Sequence, residues 1–132
     1  MKLQRPKEPL KATVTKIPTG LGTLYITINE IDNQPFEVFL TIGTSGTSIM
    51  AKAEAIGRLI SLSLRYGVPI TDIVEQLIGI GDDAPMPYKD GVILSIPDAV
   101  GKVLKERYLD EKDISFKHSH IKKDVTIIDK EK

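Results

Sequence analysis

Hydrophobic and polar side chains alternate in three segments near the start of the chain, which is the pattern of β-strands with one buried face. Apolar or β-branched residues recur at every second position in Lys11 to Ile17, Leu24 to Ile28 and Phe36 to Ile42. Turn-forming residues separate these segments in Pro18 to Gly22 and in Asn29 to Pro35. The simplest arrangement is therefore a meander of three antiparallel strands with one covered face.

A helical spacing of apolar residues replaces the alternation after the third strand. The stripe at spacings of three and four consists of Ile49, Ala53, Ile56, Ile60 and Leu64. Leu59 and Leu62 widen it, which predicts a long helix that is buried on more than one side. Thr47 or Ser48 is expected to cap the start of this helix, and Gly67 is expected to end it.

Two shorter helices are predicted further along the chain. Pro69 to Ile78 forms the first, and Gly79 to Gly91 is expected to be a loop. Ser95 then caps a third helix, because its hydroxyl can accept a hydrogen bond from the Asp98 amide while the Asp98 carboxylate reaches back, as in a capping box. Pro97 suits the first turn of that helix, where a missing N–H costs little.

These elements predict one α+β domain, in which a small antiparallel sheet of three or more strands packs against three helices. The domain is expected to span residues 11–109. Residues 1–10 carry two prolines among charges and are expected to form an extended arm. Residues 110–132 form a weakly alternating tail that suits either an added hairpin or a strand for a partner. A chain of 132 residues is long enough to bury such a core.

Composition excludes several classes of function. Lys plus Arg and Asp plus Glu both number 18, so the chain carries no net charge, and broad electrostatic capture of nucleic acid or of an anionic membrane is not expected. The absence of cysteine excludes a disulfide framework, a thiolate nucleophile and cysteine-ligated zinc. Neither a membrane-spanning apolar run nor a signal peptide is evident, which predicts a cytoplasmic protein.

The first candidate site is the bend between the third strand and the long helix. It consists of Gly43, Thr44, Ser45, Gly46, Thr47 and Ser48. Free amides and the helix dipole favour an anion at a helix N-terminus, and the hydroxyls of the bend would add donors. The Lys-Ser/Thr pair of a Walker A loop is absent. The bend is interpreted as a nucleotide-phosphate site, with a tight turn and helix cap as the alternative.

Arg58 and Arg65 lie seven residues apart and share one face of the long helix, with Ser61 between them. They could hold phosphates as bidentate forks, or they could form the solvated edge of a mostly apolar helix. His118 and His120 have a spacing that suits a metal, but no carboxylate-rich pattern completes a site, so no metal site is predicted. No catalytic residue is predicted either, since neither a Ser-His-Asp order nor an acid pair stands out.

Five motifs occur in an order that resembles the TSCPD domain, a module found mostly near the C-terminus of adenosylcobalamin-dependent (class II) ribonucleotide reductases. The motifs are GTLYITINE, PFEVFLTIG, EAIGRLISLSLRYGV, LIGIG and LSIPDAV. TSCPD domains often carry cysteines at the places that Leu21, Asp82 and Ile96 occupy in this chain. The resemblance therefore implies an accessory role, without the radical chemistry of the reductase and without a cofactor.

The resemblance and the candidate site together predict a non-catalytic nucleotide-binding or regulatory module related to class II ribonucleotide reductase, not an enzyme. The expected partners are a nucleotide-type small molecule and a reductase catalytic subunit. Two alternatives stay open: a stand-alone sponge that sequesters a signalling cyclic nucleotide, as some viral proteins do, and a purely structural subunit. A homo-oligomer is also expected, through a sheet edge or through the small residues of the long helix. These small residues are Ala51, Ala53, Ala55 and Gly57.

Overall fold

A computed structural model describes residues 1–43 and 46–110 of the chain. Its strands and helices are, in chain order, β1 (Lys11–Thr19), β2 (Gly22–Ile31), β3 (Gln34–Ile42), α1 (Thr47–Arg65), α2 (Ile70–Leu77), β4 (Met86–Tyr88), β5 (Gly91–Ile93) and α3 (Ile96–Tyr108). A three-stranded antiparallel sheet has the order β1-β2-β3, and β4 pairs with β5. The predicted α+β class is confirmed. The predicted tail, with His118 and His120, lies outside the described residues from position 111 onward.

Tight turns set the register of the three-stranded sheet. Asp32 and Asn33 join β2 to β3, and both adopt positive φ angles, 53° and 63°. Two consecutive residues of this kind suit the type I′ turn that matches the twist of paired strands, and Asp and Asn tolerate it better than most residues. The turn expected over Asn29 to Pro35 is therefore shorter than predicted, because its outer residues extend β2 and β3.

One face of the sheet lines the hydrophobic core. Leu24, Ile26 and Ile28 of β2 are fully buried, as their alternation predicts. The three helices supply the other side of the core with Ala53, Ile60, Leu64, Ile73, Val74, Ile96, Ala99, Val100, Val103 and Leu104. The opposite face of the sheet, called the outer face, lies away from the core, borders α1 only along β3, and leaves Val14 and Phe39 exposed.

Helix α1 lies along the open edge of β3. The Ser61 hydroxyl accepts a hydrogen bond from the Val38 amide at 2.9 Å and donates one to the Val38 carbonyl at 3.1 Å. Gly57 lies one turn away, where a Cβ atom would come within 3.1 Å of the Val38 carbonyl oxygen. The serine thus satisfies backbone groups that an edge strand leaves unpaired, and the glycine permits the close approach.

The sequence correctly predicts how α1 ends at its C-terminus but not how it is capped at its N-terminus. Gly67 adopts φ +83°, and the amides of Gly67 and Val68 bond to carbonyls of the last turn at 3.0 Å each, which makes a Schellman motif. At the other end, Gly46 is the N-cap residue and no side chain caps it. The expected cap by Thr47 or Ser48 is wrong, because Thr47 is already the first helical residue.

Two further expectations are wrong. Leu59 and Leu62 are 64% and 43% exposed, because α1 packs at the edge of the sheet and buries only the side that faces β3 and the core. The segment Gly79 to Gly91 is not a plain loop, since Met86–Tyr88 pairs with Gly91–Ile93 in the β4–β5 hairpin. Strands of three residues are too short to reveal themselves by alternation.

Helices α2 and α3 approach closely at Gly101, where a Cβ atom would lie 2.8 Å from Ile78 Cγ1 and 3.0 Å from Leu77 Cβ. We expect Gly101→Ala to lower the free energy of unfolding by about 1–2 kcal/mol, because overpacking outweighs the better helix propensity of alanine. Urea denaturation measures this loss. Gly81→Ala is the control, since nothing lies within 4 Å of its Cβ position. Equal stability of the two variants would contradict the close contact.

Candidate functional site

A groove of about 480 Å³ runs between β3 and α1. We call it the β3–α1 groove, and it is lined by Glu37, Val38, Phe39, Leu40, Thr41, Glu54, Gly57, Arg58, Ser61, Leu62 and Arg65. The groove forms because α1 approaches the strand closely at Gly57 and Ser61 and carries longer side chains on its solvent side. The three residues predicted to share a helix face, Arg58, Ser61 and Arg65, all line it.

Arg58 is the accessible cation of the groove. Its side chain is 79% exposed and forms an ion pair of 2.6 Å with Glu54, one helical turn earlier, which is 61% exposed. Exposed pairs at this spacing contribute little to stability, because water competes for both partners. The Arg58 guanidinium can therefore turn towards an anion in the groove at small cost.

Arg65, in contrast, is engaged inside the protein. Its Nη2 donates to Glu37 Oε2 at 2.9 Å, and its guanidinium lies 5.2 Å from the centroid of the Phe36 ring. Glu37 also accepts from Arg5 Nε at 2.9 Å and from Asn29 Nδ2 at 2.8 Å. The Glu37 side chain is only 2% exposed. Arg65 therefore closes one end of the groove as a member of a buried cluster.

Glu37 links the N-terminal arm, β3 and α1. Burial by itself would raise the pKa of this carboxyl, but hydrogen bonds from Asn29, Arg5 and Arg65 outweigh the burial and keep the pKa below its ordinary value. Glu37 is therefore ionised at neutral pH. The Leu3 amide adds a bond of 2.9 Å to the Arg65 carbonyl, which holds the arm at the same place.

The predicted anion-binding bend lies at the other end of the same surface. Thr47 lines a depression of about 390 Å³ that shares Leu40, Thr41 and Glu54 with the β3–α1 groove. The start of α1 and the face that carries Arg58 therefore border one continuous surface. Ser61, however, contributes its hydroxyl to the β3 backbone, so it is not a free donor for a ligand.

The individual bend residues differ in what they offer an anion. Gly46, Thr47 and Ser48 are exposed. The Gly43 amide donates to the Thr23 carbonyl at 2.9 Å, which removes it from the set of free amides. Thr44 and Ser45 lie outside the described residues, and the phosphate site at the bend stays a prediction.

Most of the chain matches a known protein family. A family model described as the TSCPD domain covers residues 1–108, including the arm. The chain belongs to the TSCPD domain family. In its known context the TSCPD domain is an accessory part of ribonucleotide reductases and does not carry their catalytic centre. No curated protein and no solved structure matches the chain.

In this TSCPD domain the start of α3 is organised by a buried carboxylate. Ser95 Oγ accepts from the Asp98 amide at 3.1 Å, which confirms the predicted cap. The predicted capping box is wrong, because the Asp98 carboxylate reaches past Ser95 and accepts from the amides of Leu94 and Gly79 at 2.9 Å each. Lys102 Nζ donates to it at 2.8 Å. Asp98 is fully buried and therefore has a structural role.

A third buried carboxylate of the TSCPD domain, Glu30, ties the end of α3 to β2. The Tyr108 hydroxyl and Arg107 Nε both donate to Glu30 Oε2, the latter at 3.2 Å. The Tyr108 hydrogen bond is the largest influence on Glu30 and lowers its pKa despite burial. Burial and the Glu30 hydrogen bond together raise the pKa of Tyr108 to about 12. Glu30 is therefore a structural link outside the β3–α1 groove.

The described part of the TSCPD domain, residues 1–43 and 46–110, contains no group of three His, Cys, Asp or Glu side chains that could hold a metal ion. Within the same residues, no helix combines the length and apolarity needed to cross a membrane. What the β3–α1 groove offers a ligand is a guanidinium, an aromatic ring and apolar walls.

Proposed function

We propose that this TSCPD domain is a non-catalytic accessory module that binds a nucleotide-type ligand in the β3–α1 groove. One observation carries the proposal: the exposed guanidinium of Arg58 and the exposed ring of Phe39 border the same groove. A guanidinium pairs with phosphate as a fork, and an aromatic ring stacks on a nucleobase. A groove of about 480 Å³ also falls within the range of small-molecule sites.

The ion pairs of the groove decide which arginine a phosphate can use. Arg58 gives up only an exposed pair with Glu54, so the ligand competes with a weak interaction. Arg65 would have to leave the buried Glu37 carboxylate, which would then lose a charged partner inside the protein. We therefore assign the phosphate contact to Arg58, and we assign Arg65 to holding the end of the groove in place.

The family context supports a second part of the proposal, in which the module docks on the catalytic subunit of a ribonucleotide reductase. Because the chain has no cysteine, any thiol or radical step would take place on that partner. Co-purification of the full chain with a reductase catalytic subunit from the same genome tests this idea. Failure to form a complex, with and without nucleotide, would argue against it.

Arg58→Ala should weaken nucleotide binding about 10- to 100-fold, because a charge-assisted hydrogen bond to phosphate is lost. Isothermal titration calorimetry measures this with dNTPs, ATP and cyclic di- and trinucleotides as ligands. Lys52→Ala is the matched control, since it removes an exposed positive charge of α1 that does not line the groove. Both variants should unfold at the wild-type temperature, because both side chains are exposed.

The same titrations separate the proposal from its alternatives. Binding of cyclic nucleotides without binding of linear ones would support the sponge. If no nucleotide binds, the purely structural subunit gains support, which the internal engagement of Ser61 and Arg65 already favours. Nucleotide binding that is unchanged in Arg58→Ala would place the site outside the β3–α1 groove.

A further inference from the structure

The outer face of the three-stranded sheet carries two exposed apolar side chains in its middle row, one on each outer strand. The register pairs Val14 with Thr27 and Thr27 with Phe39, so these side chains form one row across the strands. Val14 is 64% exposed and Phe39 is 51% exposed. The next row consists of Lys16, Tyr25 and Thr41. A sheet face turned to water normally alternates polar residues outward, so this row indicates a surface that is covered in the working protein.

Charge is scarce on this face. Glu37 is its only carboxylate at the described positions, and that group is already paired with Arg5 and Arg65 beneath the arm. Lys16, at the β1 margin, is exposed. At the opposite margin, beside Thr41, lies the carboxylate of Glu54 on α1, which is 61% exposed. The face therefore has a lysine at one margin, exposed Val14 and Phe39 in its middle row, and the exposed Glu54–Arg58 ion pair at the other margin.

We propose that the outer face is covered by a second copy of this chain, related by a two-fold axis parallel to β2. Such an axis places β1 of each copy over β3 of the other. Val14 then packs on Phe39 of the second copy, and the contact occurs twice. Lys16 comes to lie over the margin formed by Thr41 and Glu54 of the second copy, where the exposed Glu54 carboxylate can accept from Lys16 as well as from Arg58, and this contact occurs at both ends of the interface.

The size of the face suits a dimer. Three strands of nine or ten residues, spaced by about 4.8 Å, cover roughly 14 by 30 Å, or about 400 Å². The exposed flank of α1, with Leu62, widens the surface by about 10 Å, to roughly 700 Å² per copy. This area is close to the about 800 Å² per partner of a standard interface. The zero net charge of the chain adds no repulsion between copies.

The dimer bears on the β3–α1 groove, because Thr41 and Glu54 line it. Lys16 of the second copy would lie at the rim of the groove, and Val14 of the second copy would cover the Phe39 ring on which a nucleobase would stack, so the dimer and a bound nucleotide compete for this ring. This consequence rests on the proposed nucleotide site. The dimer itself does not, since it is measured without ligand, and its failure leaves the nucleotide titrations untouched.

Sedimentation velocity of the full chain, without ligand and over a concentration series, tests the dimer. We expect a monomer–dimer equilibrium in which most of the protein is dimeric at about 100 μM. Val14→Lys should raise the dimer Kd about 100-fold, because each dimer loses two buried apolar contacts and gains two buried charges. Val92→Lys is the matched control, since Val92 is 38% exposed but lies in β5, and it should leave the Kd unchanged. A wild-type chain that stays monomeric overturns the proposal.

The two-fold arrangement makes a sharper prediction for paired substitutions. In a double variant with Val14→Glu and Phe39→Lys, opposite charges face each other across the axis. This variant should dimerise at least 10-fold more tightly than the double variant with Val14→Lys and Phe39→Lys, in which like charges face each other. Circular dichroism is the control for folding, and all variants should fold because the substituted positions are exposed. If the two double variants have the same dimer Kd, the proposed interface is overturned. The same holds if Val92→Lys raises the dimer Kd as much as Val14→Lys does.

Discussion

Asp98→Ala should lower the free energy of unfolding by about 3–4 kcal/mol and the melting temperature by roughly 10 °C or more. The cause is the burial of the Asp98 carboxylate, which accepts hydrogen bonds from the amides of Gly79 and Leu94. Alanine leaves both amides without this acceptor and removes the ion pair with Lys102. Such a loss is a large share of the stability of a domain of this size.

Thermal and urea unfolding measure the loss, and two further variants define its origin. Asp83→Ala removes an exposed carboxylate of the loop after α2 and should change the stability by no more than about 0.5 kcal/mol. Asp98→Asn keeps the shape and one acceptor oxygen and should fall between Asp98→Ala and the wild type. Hydrogen exchange at Gly79 and Leu94 should accelerate in Asp98→Ala. Wild-type stability of Asp98→Ala would show that the carboxylate does not organise the start of α3.

The contrast between Ser95 and Asp98 illustrates what local sequence can predict. The Ser95 cap was predictable because its hydroxyl and the Asp98 amide are three residues apart, a distance that any helix start fixes. The partners of the Asp98 carboxylate were not predictable in this way. The Gly79 amide lies nineteen residues earlier and reaches Asp98 only once α2 packs against α3. The strands followed from their alternation for the same local reason, whereas the β4–β5 hairpin was too short to show one.

The candidate site also has a part that local sequence predicts and a part that it does not. Helical periodicity placed Arg58 and Arg65 on one face, and both do line the β3–α1 groove. Periodicity could not separate their roles, because the partner of Arg65, Glu37, lies 28 residues away on another element. In the sequence Glu37 is an outward position between Phe36 and Val38, with nothing to mark its burial. The arm that buries it supplies Arg5, a contact across 32 residues.

Glu37→Ala should cause the second large loss, about 2–3 kcal/mol, because the partly buried Arg65 loses its charged partner, whereas Arg5, which is 49% exposed, can be rehydrated. Arg5 and Arg65 would both lose their carboxylate, and Asn29 would lose its acceptor. Glu54→Ala is the matched control, since Glu54 lines the same groove but is 61% exposed, and we expect a change within about 0.5 kcal/mol. Similar losses in both variants would mean that the buried cluster is no more important than a surface pair.

The same cluster predicts the response to acid. The folded pKa of Glu37 lies below its ordinary value of 4.5, so the stability it contributes is complete above that pH and is lost as the pH falls through the folded pKa. Glu30 acts in the same direction, chiefly through Tyr108. The free energy of unfolding of the wild type, measured with urea, should therefore fall steadily below about pH 4.5. Glu37→Gln should be less stable at neutral pH but lose stability less steeply in acid, because the contribution from protonation of Glu37 is removed. Parallel pH curves for the two proteins would mean that protonation of Glu37 is not linked to unfolding.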